Sequence, residues 1–204
     1  MSEAADAGAA PDVAEGASPT DEEAVLRTDG VTKRFGGLTA VDGVDIEVHS
    51  GEIVGLIGPN GAGKSTLFNC ITGTLSADEG RVFLRGRDVT GRPEYEIARA
   101  GLGRMFQETR VFGEMSVRKN LLVAAQEGGA GVGNLLRRPD ARLLDRVDEL
   151  LAYVDLGGLS DVRAGRLSFG QQKLVEFAME LMAEPDLLLM DEPAGGINPS
   201  MLEN

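Results

Sequence analysis

At 204 residues the chain is one domain's worth of sequence, enough to bury a real core, and its 42% hydrophobic content is ordinary for a globular protein. A net charge of −13, with no basic patch or stripe, argues against a nucleic-acid partner. No apolar run reaches bilayer-spanning length and no apolar segment opens the chain, so the expectation is a cytoplasmic protein, and its single cysteine, Cys70, cannot form an internal disulfide.

Residues 1–23 are Ala, Gly, Pro, Ser and acid, and residues 24–204 hold the folded part. The first segment carries Glu3, Asp6, Asp12, Glu15, Asp21, Glu22 and Glu23 with no Lys or Arg, and reads as a disordered acidic tail. Ala24-Val25-Leu26 begins the fold. From Val41 to Val48 apolar and acidic residues alternate, the pattern of a half-exposed strand. Ser50-Gly51 makes a turn. Ile53-Val54-Gly55-Leu56-Ile57 is continuously apolar, as in a strand buried on both faces of a parallel sheet. A helix is expected from Ser65 to Thr72, with Cys70 as a small buried hydrophobe on it. Arg81–Leu84 reads as a short strand after the Asp78-Glu79-Gly80 turn, and Leu102–Phe106 as another. Leu143, Leu144, Val147, Leu150, Leu151 and Val154 fall on one helical face. Gly128–Gly133 reads as a flexible loop, having no strand before it and no Lys-Ser after it. Leu174, Phe177, Ala178 and Leu181 mark a further helix, ended by Pro185. Leu187–Met190 is an apolar strand.

Between the Ile53–Ile57 run and the helix lies Gly58-Pro59-Asn60-Gly61-Ala62-Gly63-Lys64-Ser65-Thr66, which fits G-x-x-x-x-G-K-[ST]. Its glycines let backbone N–H groups turn toward phosphate oxygens, where a Cβ would obstruct. The helix N-terminus behind them favours negative charge. Lys64 would bridge β- and γ-phosphates, and the Ser65 hydroxyl would ligate magnesium. Asp191 and Glu192 close the apolar strand Leu187–Met190, the crevice end of an open α/β sheet. Asp191 would orient magnesium and Glu192 would polarise the attacking water as general base. Ser168-Phe169-Gly170-Gln171 fits a capping box at a helix start, and equally an anion site made of the serine hydroxyl and a glycine amide.

Taken together, the phosphate loop, Leu167-Ser168-Phe169-Gly170-Gln171-Gln172 and the Asp191-Glu192 strand resemble the ATP-binding-cassette (ABC) ATPases. The resemblance implies an α/β fold of the P-loop NTPase class: a mostly parallel core sheet, an antiparallel β subdomain, and a helical subdomain at roughly residues 108–183 carrying the signature. It implies ATP and Mg2+ as ligands. It also implies a homo- or heterodimer with a second ABC ATPase, in which Ser168, Gly170 and Gln171 close over the nucleotide of the opposite subunit. Gln107 resembles the family's Q-loop residue, contacting magnesium and the attacking water, and Phe35 stands where the family stacks an aromatic on adenine. Ala194–Pro199 resembles the D-loop, with Asn198 at its usual Asp. Arg104–Phe112 and Met115–Ala124 look like the branched-chain amino-acid importers, so membrane permease subunits and, indirectly, an external solute-binding protein are the implied partners. The implied location is the cytoplasmic face of the plasma membrane. Urea or short-amide importers and lipopolysaccharide exporters are the alternatives. A soluble ABC ATPase of DNA repair or translation would bring coiled-coil insertions or duplicated cassettes. A GTPase or small kinase would share the phosphate loop alone.

One family feature has no counterpart. The switch His lies a few tens of residues past the catalytic Glu, whereas the sole histidine here, His49, precedes the phosphate loop and reads as a surface turn residue. The resemblance therefore implies an ABC domain incomplete at its C-terminus, a fragment that binds ATP and turns it over poorly.

Overall fold

The period-two pattern of Val41–Val48 requires a partner strand for its backbone, and the sequence just upstream supplies one. In the computed structural model, which describes residues 24–105, 109–125 and 139–191, β1 (Leu26–Phe35) and β2 (Leu38–Val48) form an antiparallel hairpin closed by Gly36-Gly37. Gly36 takes a φ of 59°, a region glycine enters freely. Thr28 is buried at an irregularity in the hairpin register. Its hydroxyl donates to the Val44 carbonyl at 3.0 Å and accepts the Ile46 N–H at 2.9 Å, so the ladder's interrupted polar groups are satisfied. β3 (Glu79–Leu84) pairs antiparallel with β1, and β4 (Arg87–Asp88) with β3, giving the order β2-β1-β3-β4.

Helix α1 (Lys64–Ile71) packs on β1 and β2 and buries Leu67, Cys70 and Ile71. After the short α2 (Glu94–Arg99), β5 (Leu102–Met105) pairs in parallel with β6 (Leu187–Met190), from Leu102 opposite Leu187 to Met105 opposite Met190. Leu102 and Leu189 join Leu26, Val31, Val82, Leu84, Leu67 and Ile71 in one core cluster. Each such buried side chain contributes about 1.5–3 kcal/mol. That cluster fixes the phosphate-loop helix, the antiparallel sheet and the two parallel strands against one another.

A second cluster belongs to helices. α3 (Val117–Ala124), α4 (Ala141–Tyr153) and α5 (Phe169–Met182) bury Val117, Leu121, Val147, Leu151, Val175 and Ala178 together. Each starts on a capping side chain: Ser116 accepts the Lys119 N–H, Asp140 the Leu143 N–H and Ser168 the Gln171 N–H. The α4 face expected from the heptad-like spacing is the buried one.

The expected strand at Ile53–Ile57 is not formed. Residues 52–59 are irregular, and Ile53 and Ile57 are 97% and 92% exposed. Among the described residues no strand lies beside this segment to complete a ladder or cover its side chains, and an apolar run alone cannot satisfy backbone groups. β3 starts two residues earlier than expected, because Glu79 and Arg81 pair with Thr32 and Asp29 of β1. The acidic tail, the Gly128–Gly133 loop, Phe106, Gln107, Glu108 and residues 192–204 lie outside the described residues.

Candidate functional site

The phosphate-binding motif forms an exposed loop running into α1. Gly61 and Gly63 have φ values of 84° and 87°, which L side chains rarely adopt. At Gly63 there is no space either: a Cβ would lie 2.1 Å from the Ala40 carbonyl oxygen of β2. The hairpin therefore presses on the last glycine of the loop and holds the start of α1. Gly63 is also the helix N-cap, and no side chain caps that end, so its first N–H groups face the loop. The Lys64 ammonium donates to the carbonyls of Gly58 at 2.8 Å and Pro59 at 3.0 Å, folding over the loop. Ser65 is exposed on the first turn.

Phe35 ends β1 at the hairpin tip, 47% exposed, with the Lys33 ammonium 5.6 Å from its ring centroid. Asp78 pins this strand end. It accepts the Arg34 N–H at 2.6 Å and the Lys33 ammonium at 2.9 Å, and these bonds hold its carboxyl below the usual range. Cys70 is a buried thiol whose pKa is raised by desolvation, as expected of a core residue rather than a nucleophile. His49 sits half-buried between β2 and the Ser50-Gly51 turn.

Asp191 follows β6 directly and Gln107 follows β5 by two residues, so the parallel pairing brings both chain directions out at one edge. Gln107 and Glu192 themselves are not among the described residues. At the signature segment both halves of the capping box are present: Ser168 Oγ accepts the Gln171 N–H at 3.3 Å, and the Gln171 side chain accepts the Ser168 N–H at 3.0 Å. Gly170 is buried in that first turn and Phe169 is 48% exposed. Gln172 donates to the carbonyls of Ala164 and Leu167, anchoring the preceding turn.

Two side chains that sequence reasoning did not single out organise these parts. Asn120 is fully buried. It accepts the Phe112 N–H at 2.7 Å and donates to the carbonyls of Phe112 and Ser116, so it clamps the segment that follows residue 108. An amide directly before the apolar run Leu121-Leu122-Val123 was the available signal. Arg104 reaches from β5 onto the end of α1, with nothing in its spacing to mark it.

The donor set suits a phosphate ligand with a hard cation. It has glycine backbone turned by positive φ, an uncapped helix N-terminus, one lysine and the hydroxyl of Ser65 on the first turn. Magnesium bound with phosphates takes few protein ligands, and among the described residues no group of three or more His, Cys, Asp or Glu is placed to hold a metal ion by itself.

The fold and this loop define the phosphate-loop class of nucleotide-binding proteins. Residues 41–195 match the family model described as ABC transporter. The chain is 40% identical over 182 residues to the high-affinity branched-chain amino acid transport ATP-binding protein BraF of Pseudomonas aeruginosa, covering 86% of this chain and 71% of that protein. It is 42% identical, over the same shares, to LivG of Escherichia coli K12, which carries the same description. The ADP conformation of MJ1267, an ATP-binding cassette of an ABC transporter, superimposes with a TM-score of 0.75 at 39% identity, covering 88% of this chain and 73% of that one. The chain belongs to the ABC transporter ATPases.

Proposed function

We propose that this chain is the ATP-binding and ATP-hydrolysing subunit of an ABC importer for branched-chain amino acids. The observation that carries the reading is identity of about 40% to branched-chain amino acid ATP-binding proteins across nearly nine-tenths of the chain, on a framework that shapes the phosphate loop.

In this reading Phe35 offers its exposed ring to adenine, and the backbone of residues 58–66 (Gly58, Pro59, Asn60, Gly61, Ala62, Gly63, Lys64, Ser65, Thr66) holds the phosphates. Lys64 exchanges two neutral carbonyls for phosphate oxygens, a stronger charge-assisted pairing. Magnesium, when bound with the nucleotide, offsets the charge of the β- and γ-phosphates. Ser65, Asp191 and Gln107 are the residues that would hold it. Glu192 accepts the proton of the attacking water. Ser168, Gly170 and Gln171 present the start of α5 to the nucleotide of a second ATPase subunit, identical or homologous. Permease subunits supply the membrane path, and an external solute-binding protein delivers the solute. The chain itself sits peripherally on the cytoplasmic face of the plasma membrane. No helix among the described residues is long and apolar enough to cross a membrane.

Reconstitution of this chain with permease subunits of branched-chain amino-acid, urea and short-amide importers in turn, followed by uptake of labelled leucine, urea and acetamide, tests the cargo. Leucine uptake dependent on ATP supports the reading. Uptake of urea or acetamide alone assigns the chain to the other importers, and ATP-driven lipid efflux without uptake assigns it to export.

A further inference from the structure

Arg104 opens the Arg104–Phe112 stretch, and the resemblance gives its side chain no role of its own. Its backbone lies opposite Leu189 in the parallel pair, two residues before Asp191 on one strand and three before Gln107 on its own. Its side chain crosses to the far end of the phosphate-loop helix. Nη2 donates to Asn69 Oδ1 at 2.8 Å, and Nη1 donates to Thr72 Oγ1 at 2.9 Å and Thr74 Oγ1 at 3.3 Å. Thr72 is 2% exposed, and its hydroxyl is 3.1 Å from that of Thr74. One planar fork thus grips three side chains that follow Lys64 by five to ten residues. A guanidinium can do this where a single ammonium cannot, because its donors are fixed in one plane.

We propose that Arg104 is a positioning residue for ATP hydrolysis, holding β5, and through its pairing β6 and Asp191, against the helix α1 whose start carries the phosphate loop. The proposal rests on reading residues 58–66 as the nucleotide site. The physical basis is that hydrolysis needs groups from two elements in register, whereas nucleotide binding needs mainly the loop. A displacement of about 1 Å between them costs about 100-fold in rate without changing what the loop itself binds.

The test compares the parent chain with Arg104→Met, Arg104→Lys, Asn69→Ala and the double variant Arg104→Met/Asn69→Ala. Four quantities are read: the Kd of a fluorescent ATP analogue, KM, kcat for phosphate release, and Tm. Arg104→Met should keep Kd and KM within about threefold while kcat falls at least tenfold, with Arg104→Lys between the two. Asn69→Ala, which leaves the arginine in place, should lower kcat in the same direction. The double variant should be no slower than Arg104→Met, since both remove one linkage. A folded Arg104→Met or Asn69→Ala chain with the parent's kcat overturns the proposal, and so does a parallel loss of Kd and kcat, which would mark a purely structural role. If Arg104→Met does not fold, Asn69→Ala and Arg104→Lys decide by the same criterion. A parent chain that neither binds nor hydrolyses ATP overturns the nucleotide reading and this proposal with it; one that binds ATP but releases no phosphate overturns this proposal alone, and both results are visible before any variant is made.

Discussion

Gly63→Ala tests the shaping of the phosphate loop directly. The added Cβ would stand 2.1 Å from the Ala40 carbonyl oxygen, against about 3.3 Å for the nearest comfortable carbon–oxygen approach. Loop and hairpin must therefore separate by roughly 1 Å. The obstruction is backbone on a paired strand, which cannot swing aside like a side-chain tip. A φ of 87° adds strain of about 1–2 kcal/mol for an L-residue, and forced displacement in a packed region adds about 1–3 kcal/mol. The sum, about 2–5 kcal/mol, corresponds to a fall in Tm on the order of 10 °C for a domain of this size. Gly55→Ala is the matched control, because a Cβ there meets nothing within 4 Å and its φ is not positive. It should stay within about 0.5 kcal/mol of the parent. Thermal unfolding by circular dichroism and titration with a fluorescent ATP analogue read both consequences. Gly63→Ala should lose stability and at least tenfold in affinity, and Gly55→Ala neither. If the two variants behave alike, the contact between Ala40 and the loop is not what shapes it.

Asn120→Ala should cost about 2 kcal/mol, or about 4–8 °C in Tm, because it strands the Phe112 and Ser116 backbone groups it now pairs; a change under 1 °C by calorimetry would refute the clamp. The Asp78 carboxyl, held low by the Arg34 N–H and Lys33, gives a signed pH dependence. Its folded pKa lies below the unfolded one, so its stabilisation is present above the ordinary carboxylate pKa of about 4 and is lost as pH falls below it. Asp78→Asn should lower Tm at pH 7 and flatten the acid fall below pH 4, and equal curves for variant and parent would count against the contact. The paired substitution Ile53→Ser/Ile57→Ser should move Tm by less than about 2 °C, since both side chains are exposed. A loss above about 3 kcal/mol in urea unfolding would restore the buried strand expected from the continuous apolar run.

What could be read from the chain was whatever depended on local pattern. The α4 face, the capping box at Ser168 and Gln171, the burial of Cys70 and the apolar strand before Asp191 follow from spacing within about a dozen residues. Ile53–Ile57 shows where that stops, for burial of a strand depends on neighbours that the segment does not encode. β1 was missed for a related reason. Leu26–Phe35 carries Arg27, Asp29, Lys33 and Arg34 among its apolar residues, and its place at the middle of the antiparallel sheet comes from pairing with β2 and β3. Motif spacing located the phosphate loop, but the pressure of Ala40 on Gly63 joins residues 23 apart. The Arg104 fork joins partners 30 to 35 residues apart. Neither leaves a periodic trace in sequence.

The proposed function turns on ATP binding by residues 58–66 and on hydrolysis driven by Glu192. Affinity for ATP and phosphate release, measured side by side for the parent chain, Lys64→Ala and Glu192→Gln, test it most directly. The parent should bind ATP and hydrolyse it slowly but measurably. Lys64→Ala should lose at least tenfold in affinity. Glu192→Gln should bind as the parent does while turnover falls by about 100-fold or more, the usual contribution of a general base. Undiminished hydrolysis by Glu192→Gln, or undiminished binding by Lys64→Ala, would contradict the claim.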